Sequence, residues 1–237
     1  MGISNFIKTG LAGIVFPNVC VCCGMEVTEQ QRQICTFCLM ERFEDANPEN
    51  TDTSAAELLP DGVWAQHALW QFDKGGALQD LMHQLKYNHL KQIGVQLGER
   101  LGWRTLQHPG IAAMMEEYSS NSLLVPVPLH YIKFMQRGFN QAFTIAQGLQ
   151  KKLDIPICGI SDVVRQKNTR SQTGFDLEER NANMKDAFRV KNGEEIADKL
   201  SIVVDDVFTT GATSFELAGK LLEAGADGVI ILTVAQA

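Results

Sequence analysis

No apolar run in this 237-residue chain reaches the about 20 residues that a membrane-spanning helix needs, so no transmembrane span is expected. The phosphate-loop pattern GxxxxGKS/T is absent, and so is the dinucleotide pattern GxGxxG, which removes the two commonest glycine-rich nucleotide sites. There is no internal repeat. The first 17 residues are apolar at helical spacing (Phe6, Ile7, Leu11, Ile14, Val15) but carry a single Lys, and no small-residue cleavage site precedes the cysteines. They read as a docked helix rather than a signal peptide, with the cytoplasm as the expected location. His67, His83, His89 and His108 show no ligand spacing and read as ordinary surface or core residues. Trp64, Trp70 and Trp103 sit at apolar periodic positions and are expected in the core.

What remains is an ordinary globular composition, 45% hydrophobic and 21% charged. The length suits one large domain, or one of about 150–180 residues plus a small one. The net charge of −7 is unevenly spread. Residues 1–60 hold three basic and eight acidic groups, whereas residues 130–191 hold eleven basic and six acidic. The basic middle suits a local polyanion partner or the field around a phosphorylated substrate.

Five of the six cysteines fall within 19 residues. Cys20 and Cys23 form one CxxC, Cys35 and Cys38 a second, and eleven residues separate the two. Two such knuckles match a closed tetrahedral zinc site, which leaves no open position for catalysis. The bound metal would fold a ribbon too small for its own core. Redox or disulfide use and metal-free cysteines are the competing readings; Cys22 is the surplus thiol of the group, and Cys158 stands alone. Residues 44–62 then carry six acidic groups and no basic one, with Pro48, Pro60 and Gly62, and read as a linker. The expected organisation is residues 1–43 for the N-terminal helix and cysteine ribbon, 44–62 for the acidic linker and 63–237 for the main domain.

Residues 200–213, LSIVVDDVFTTGAT, carry the most chemistry. Ile202, Val203 and Val204 read as a buried parallel strand, which ends in Asp205 and Asp206. A loop of small and hydroxyl-bearing residues follows, and then a helix over 214–224. Open α/β sheets bind ligands at such a strand end, where unpaired N–H groups of a helix start favour an anion. Gly211 and Ala212 let a phosphate approach the backbone, and Thr209, Thr210 and Thr213 can donate to its oxygens. The carboxylates cannot hold phosphate but can accept from sugar hydroxyls or sit near a hard cation. A ribose 5-phosphate fits both halves. The plainer reading is a strand running into a helix cap.

Elsewhere, strands are expected over 63–72, 123–127, 163–164, 187–190 and 228–234, and helices over 78–86, 91–106 and 139–153. Pro109 and Gly110 read as the stop of the second helix. The stretch 126–141, PVPLHYIKFMQRGFNQ, reads as a loop, and 166–188 as a polar segment. Strands alternating with helices imply an α/β fold, a mainly parallel sheet with helices on both faces.

VVDDVFTTGAT resembles the phosphoribosyl pyrophosphate (PRPP) motif of type I phosphoribosyltransferases. The chain as a whole resembles the ComF family: a cysteine ribbon, LKY at 85–87, PVPL at 126–129, RGFNQ at 137–141, Arg170, Ser171 and Gln172 with Arg180, Asn183, Ala187 and Phe188, and DDVFTTGAT at 205–213. The resemblance implies a type I phosphoribosyltransferase-like domain behind a four-cysteine zinc ribbon. It assigns the ribose hydroxyls to Asp205 and Asp206, and the 5-phosphate to Thr209, Thr210, Gly211, Ala212 and Thr213. Leu129, His130 and Lys133 would border pyrophosphate, with Arg137 pairing its oxygens, while Arg170 and Arg180 would lie on a loop closing over the site. It also implies structural Zn2+ on Cys20, Cys23, Cys35 and Cys38, and Mg2+ carried with PRPP. The function that follows is PRPP binding, with transfer of ribose 5-phosphate and release of pyrophosphate. The alternative is a non-catalytic competence protein that holds single-stranded DNA during uptake, with a competence helicase as partner. Its affinity would come from Lys133, Arg137, Arg165, Lys167 and Arg170.

Overall fold

The computed structural model describes residues 19–27, 32–46, 59–87, 90–167 and 185–237. The helix expected before residue 18, the middle of the acidic linker, and Arg170, Ser171, Gln172, Arg180 and Asn183 lie outside the described residues, as does His89. In chain order the elements are α1 (Thr36–Glu41), β1 (Val63–Gln71), α2 (Ala77–Tyr87), α3 (Lys91–Thr105), α4 (Pro109–Glu117), β2 (Ser122–Pro126), α5 (Tyr131–Arg137), α6 (Gln141–Leu153), β3 (Val163–Arg165), β4 (Phe188–Val190), β5 (Leu200–Phe208), α7 (Ala212–Glu223) and β6 (Gly228–Gln236).

The apolar runs pair as a parallel sheet in the order β1-β6-β5-β2. Beyond β2 the chain adds a rudimentary parallel edge, where Leu124 donates to Pro156 and accepts from Cys158, both at 2.8 Å. Alternate residues face opposite sides, as a pleated strand requires. Ile202 and Val204 of β5, with Ile230, Leu232 and Val234 of β6, pack into a core with Leu78 and Leu85 of α2, Ile93 and Leu97 of α3, and Ile145 and Leu149 of α6. Val203, Val229 and Ile231 face the other way, onto Leu217 and Leu221 of α7. The α/β fold with helices on both faces is therefore as the alternation of elements predicts.

Helices α3 and α6 meet backbone to backbone. A Cβ on Gly98 would stand 1.9 Å from the Ile145 carbonyl oxygen, and one on Gly148 2.1 Å from that of Val95, so neither position accommodates a side chain.

Four readings are corrected. Pro109 and Gly110 do not merely close α3; they open α4, because proline suits the first helical position and His108 Nδ1 caps the Ile111 N–H. The loop expected after Pro126 contains α5, which ends where Gly138 takes φ +74° and donates to Phe134 at 2.7 Å. The short strands β3 and β4 pair antiparallel with each other, apart from the main sheet. Trp103 is exposed rather than core, with the Arg100 guanidinium 4.5 Å from its ring centroid, whereas Trp70 is fully buried. Both ends of the acidic stretch are built into the domain. Glu44 accepts from Gln71 at 2.8 Å, and Gly62 accepts from Val229 at 2.9 Å. Among the described residues, no helix is long and apolar enough to cross a membrane.

Candidate functional site

The carboxyl end of β5 and the segment that follows β2 line a cavity of about 530 Å³. β5 carries Asp205 and Asp206 into it, and the turn at Gly211 delivers the start of α7. Gly211 has φ +76°, and a Cβ there would stand 2.2 Å from the Phe215 ring, so glycine is required on two counts. No side chain caps α7, and its first turn holds no acidic residue, which leaves its N–H dipoles turned toward the cavity.

Most of the predicted residues converge here. Asp205, Asp206, Thr209, Gly211, Ala212 and Thr213 line the cavity, as do Leu129, Lys133 and Arg137 from the segment after β2. Two do not. Thr210 is absent from the lining, and its Oγ1 is buried without a partner among the described residues. His130 instead caps α5, its Nδ1 accepting from the Ile132 N–H at 3.3 Å.

The sequence alone does not assign Lys74, Lys86, Asn140, Gln141 or Arg165 to this site, yet all five line it. Lys86 lies in the last turn of α2, and its Nζ lies 2.6 Å from Asp206 Oδ2. It belongs to the LKY string, the one signal that pointed to it. Lys74, Lys86, Lys133, Arg137 and Arg165 thus face two carboxylates, a surplus that suits a ligand of several negative charges.

The electrostatics follow from burial. Asp205 is pushed up to about 7 by loss of solvent and by the Asp206 charge; the Asp206 N–H, 2.8 Å from its Oδ1, Lys86 and Arg165 offset only part of this. Desolvation opposes the charge on Lys86, but the Asp206 and Asp205 carboxylates outweigh it and hold the ammonium above its usual range. Lys133 is held below its usual range by burial and by Arg165, Arg137 and Lys86.

Leu129, Asn140 and Arg165 also border a second, more apolar cleft of about 580 Å³, lined by Phe134, Phe139 and Phe143. Between the clefts α5 buries none of its residues and exposes Tyr131, Ile132, Phe134 and Met135.

The cysteines form a separate centre. The sulfurs of Cys20, Cys23, Cys35 and Cys38 lie within 4.8 Å of one another, a donor set that fits one tetrahedral metal ion. Burial pushes Cys20 up, but N–H groups of Cys35, Cys22 and Cys23 prevail and lower it to about 6, which favours the thiolate a metal needs. Cys22 stands outside the cluster, raised by burial and by Cys20 to about 12. The ribbon is clamped to α3 by Gln96. Its Oε1 accepts from Gln33 at 2.7 Å and Ile34 at 3.1 Å, and its Nε2 donates to the Ile34 carbonyl at 3.1 Å.

No family model matches the chain. Among solved structures it has a slight likeness to a purine phosphoribosyltransferase from Pyrococcus horikoshii Ot3, at a TM-score of 0.31 and 15% identity, covering 57% of this chain and 84% of that one; likeness at this level bears no argument. Among curated proteins it is 34% identical over 116 residues to "Competence protein F" of Haemophilus influenzae, a match covering 48% of this chain and 50% of that protein. It is 29% identical over 224 residues to "DNA utilization protein YhgH" of Escherichia coli K12, covering 91% of this chain and 96% of that protein. It is 31% identical over 104 residues to "Competence protein ComFC" of Bacillus subtilis, covering 44% and 39%. The chain therefore spans about half of competence protein F, less of ComFC and nearly all of YhgH. It is thus similar to competence proteins F and ComFC over about half of its own length, in keeping with the family that its motifs resemble.

Proposed function

We propose that the cavity at the end of β5 binds PRPP, and that the protein is a phosphoribosyltransferase-like PRPP-binding protein. The observation that carries this reading is the convergence on one cavity of an acidic pair, an uncapped helix start behind Gly211, and five cationic side chains. Asp205 and Asp206 would accept from the ribose hydroxyls, and Thr209, Ala212 and Thr213 would surround the 5-phosphate. Lys133 and Arg137 would face the pyrophosphate. Mg2+, bound mostly through ligand oxygens and water, would neutralise part of the pyrophosphate charge.

Transfer in this site would break the bond from C1 of the ribose to the pyrophosphate oxygen, the electron pair leaving with pyrophosphate. A nucleophile would then bond to C1 and lose its proton to solvent. The chain's task would be positioning and charge stabilisation, without a nucleophile of its own. Thermal melts with PRPP and Mg2+ test the assignment. A rise in Tm is expected in the wild type and its loss in Asp205→Asn/Asp206→Asn, whereas equal PRPP affinity in both by calorimetry would refute it. The four-cysteine cluster would hold Zn2+ as a structural ion.

A second reading rests on the names of the relatives, competence and DNA utilization proteins, and on α5. Its exposed Tyr131 and Phe134 lie beside Lys133, Arg137 and Arg165, a pairing of aromatics and cations that suits single-stranded DNA. Binding of an oligonucleotide that weakens steeply with salt, and is lost in Tyr131→Ala/Phe134→Ala, would favour it. A competence helicase as partner belongs to the same reading.

A further inference from the structure

The second cleft, about 580 Å³ in volume, is used neither by the acidic pair nor by the cysteine centre. Its surface is largely carbon. Phe134, Phe139 and Phe143 come from α5 and the chain entering α6, and Ile160, Val163 and Val164 from the turn before β3 and from β3 itself. Two polar side chains of the wall are already engaged. Asn140 donates to the Val127 carbonyl and accepts from the Ala142 N–H, both at 3.0 Å, and Thr144 donates to the Gln141 carbonyl at 2.8 Å. The other hydrogen-bonding side chains of the lining are Lys91, Tyr131, Gln147 and Arg165, so the cleft has two cations and no carboxylate. The bias is regional: residues 118–153 contain four Lys or Arg and no acidic residue, in a chain whose net charge is −7.

Charge and wall chemistry select the occupant. The cations call for a partner with carboxylates or phosphates, and the carbon walls call for apolar side chains. A nucleobase would bring polar edges to walls whose Asn140 and Thr144 are already spent, and unpaired edges are costly. A second copy of the chain docking through α5 would bring Lys133 and Arg137 against Lys91 and Arg165, like charge on like. The apolar stretch 1–17 carries Lys8 and no carboxylate. The apolar surface also runs past the rim, where Tyr131, Met135 and Ile160 are exposed, and so exceeds what a small molecule covers. β3 pairs only with β4 among the described residues, and a strand with one neighbour is a surface that extended peptides join.

We propose that this cleft docks an acidic, aromatic-bearing peptide segment of a partner protein. Its apolar side chains enter among Phe134, Phe139 and Phe143, and its carboxylates face Lys91 and Arg165. Burial of the apolar anchors supplies the affinity, and the two cations select the sign of the partner's charge. The proposal stands apart from the sugar-phosphate reading, because Lys91, Gln147 and Ile160 line this cleft and not the cavity at the end of β5.

The test is selection of random phage-displayed peptides on the full chain, followed by calorimetry of the synthetic winners. The recovered sequences should combine at least one aromatic residue with net negative charge. Their affinity should fall about 10-fold or more in Lys91→Glu and in Gln147→Glu, which place a carboxylate at the cleft, and in Ile160→Glu. All three side chains are exposed, so the core is untouched, and the Tm rise with PRPP should equal that of the wild type. Recovery of no peptide, of peptides without an acidic excess, or of peptides that bind all three variants as tightly as wild type overturns the proposal. So does displacement of the peptide by an equimolar oligodeoxythymidine, which would give the cleft to nucleic acid, or a wild-type dimer that Gln147→Glu dissociates, which would give it to a second copy. Loss of the PRPP response together with the peptide in all three variants would mean one shared site and also overturns it. A wild type that shows the expected peptide pattern but no response to PRPP supports the docking cleft and refutes the sugar-phosphate reading.

Discussion

The Lys86 ammonium at the end of α2 lies 2.6 Å from the Asp206 carboxylate on β5, and through it a helix remote in sequence neutralises half of the acidic pair. Its partner Asp205 has no comparable ion pair among the described residues and shares the burial, so it carries the strain. In the folded protein Asp205 keeps its proton to about 7, against an ordinary aspartate near 3.8. Between those values the native state binds more protons than the unfolded chain. Stability should therefore fall as pH rises from about 4 to about 7, by at most about 1.4 kcal/mol per pH unit for the one proton, and level off above. Asp205→Asn should remove this component. Thermal melts at intervals from pH 4.5 to 8 check it, and identical slopes in wild type and variant would exclude Asp205 as the cause.

Removing the counter-ion should act on both carboxylates. In Lys86→Met, Asp206 stays partly buried without its cation, a loss of about 2 kcal/mol. The Asp205 transition should also move above its wild-type pH, since two neighbouring negative charges are then less compensated. Urea unfolding gives the first quantity and the pH series the second. An unchanged midpoint would mean that the ion pair contributes nothing in solution.

The sequence is informative where the physics is local, and less so where it depends on what meets what. The run of Ile202, Val203 and Val204 into Asp205 and Asp206 could be read directly, because a parallel strand and a helix start each leave a short-range pattern. The two CxxC knuckles were legible for the same reason. Helix α5 was not. A seven-residue helix between Pro128 and Gly138, with no buried side chain, is too short and too closely flanked by turn residues to stand out from a loop. Lys86 and Gln141 could be singled out only through the strings LKY and RGFNQ that hold them, because their placement at the cavity is tertiary. A lysine ending an amphipathic helix and a glutamine beginning one are ordinary surface residues until the fold turns them toward β5. The close approach of Gly98 and Gly148 was hidden too, since isolated glycines in helical stretches look like weaknesses rather than contacts.

That contact can be tested by filling it. Gly98→Val would drive a side chain into the Ile145 carbonyl and the Gly148 backbone, neither of which can swing aside. The α3–α6 interface would have to spread, and a destabilisation of about 2–3 kcal/mol or more is expected. Gly219, where an added Cβ meets nothing within 4 Å, is the control: Gly219→Ala on helix α7 should be neutral or slightly stabilising. Chemical denaturation of both variants makes the comparison, and equal midpoints would show that the helices accommodate the extra volume.

The ribbon should depend on its metal and on Gln96. Metal analysis is expected to find one zinc per chain, retained in Cys22→Ser and lost in Cys38→Ser, because Cys22 lies outside the cluster. A fully folded, metal-free wild type would remove the zinc assignment. Gln96→Leu leaves the Gln33 and Ile34 N–H groups and the Ile34 carbonyl without the partners they have now. It should cost about 2–3 kcal/mol and make the ribbon easier to strip with a chelator, even though Gln96 touches no cysteine sulfur. Zinc release rates for wild type and variant decide the point.

Gly211 joins the site's geometry to its chemistry. Its φ of +76° suits glycine, and the Phe215 ring occupies the space a Cβ would take. Gly211→Ala should therefore lose about 1–2 kcal/mol from the left-handed backbone alone, and more from displacing Phe215. The displaced ring would tilt the first turn of α7, whose N–H groups are proposed to hold the 5-phosphate. The stabilisation by ribose 5-phosphate should then disappear from thermal melts. Undiminished ribose 5-phosphate stabilisation in Gly211→Ala would mean that the sugar phosphate does not depend on this turn.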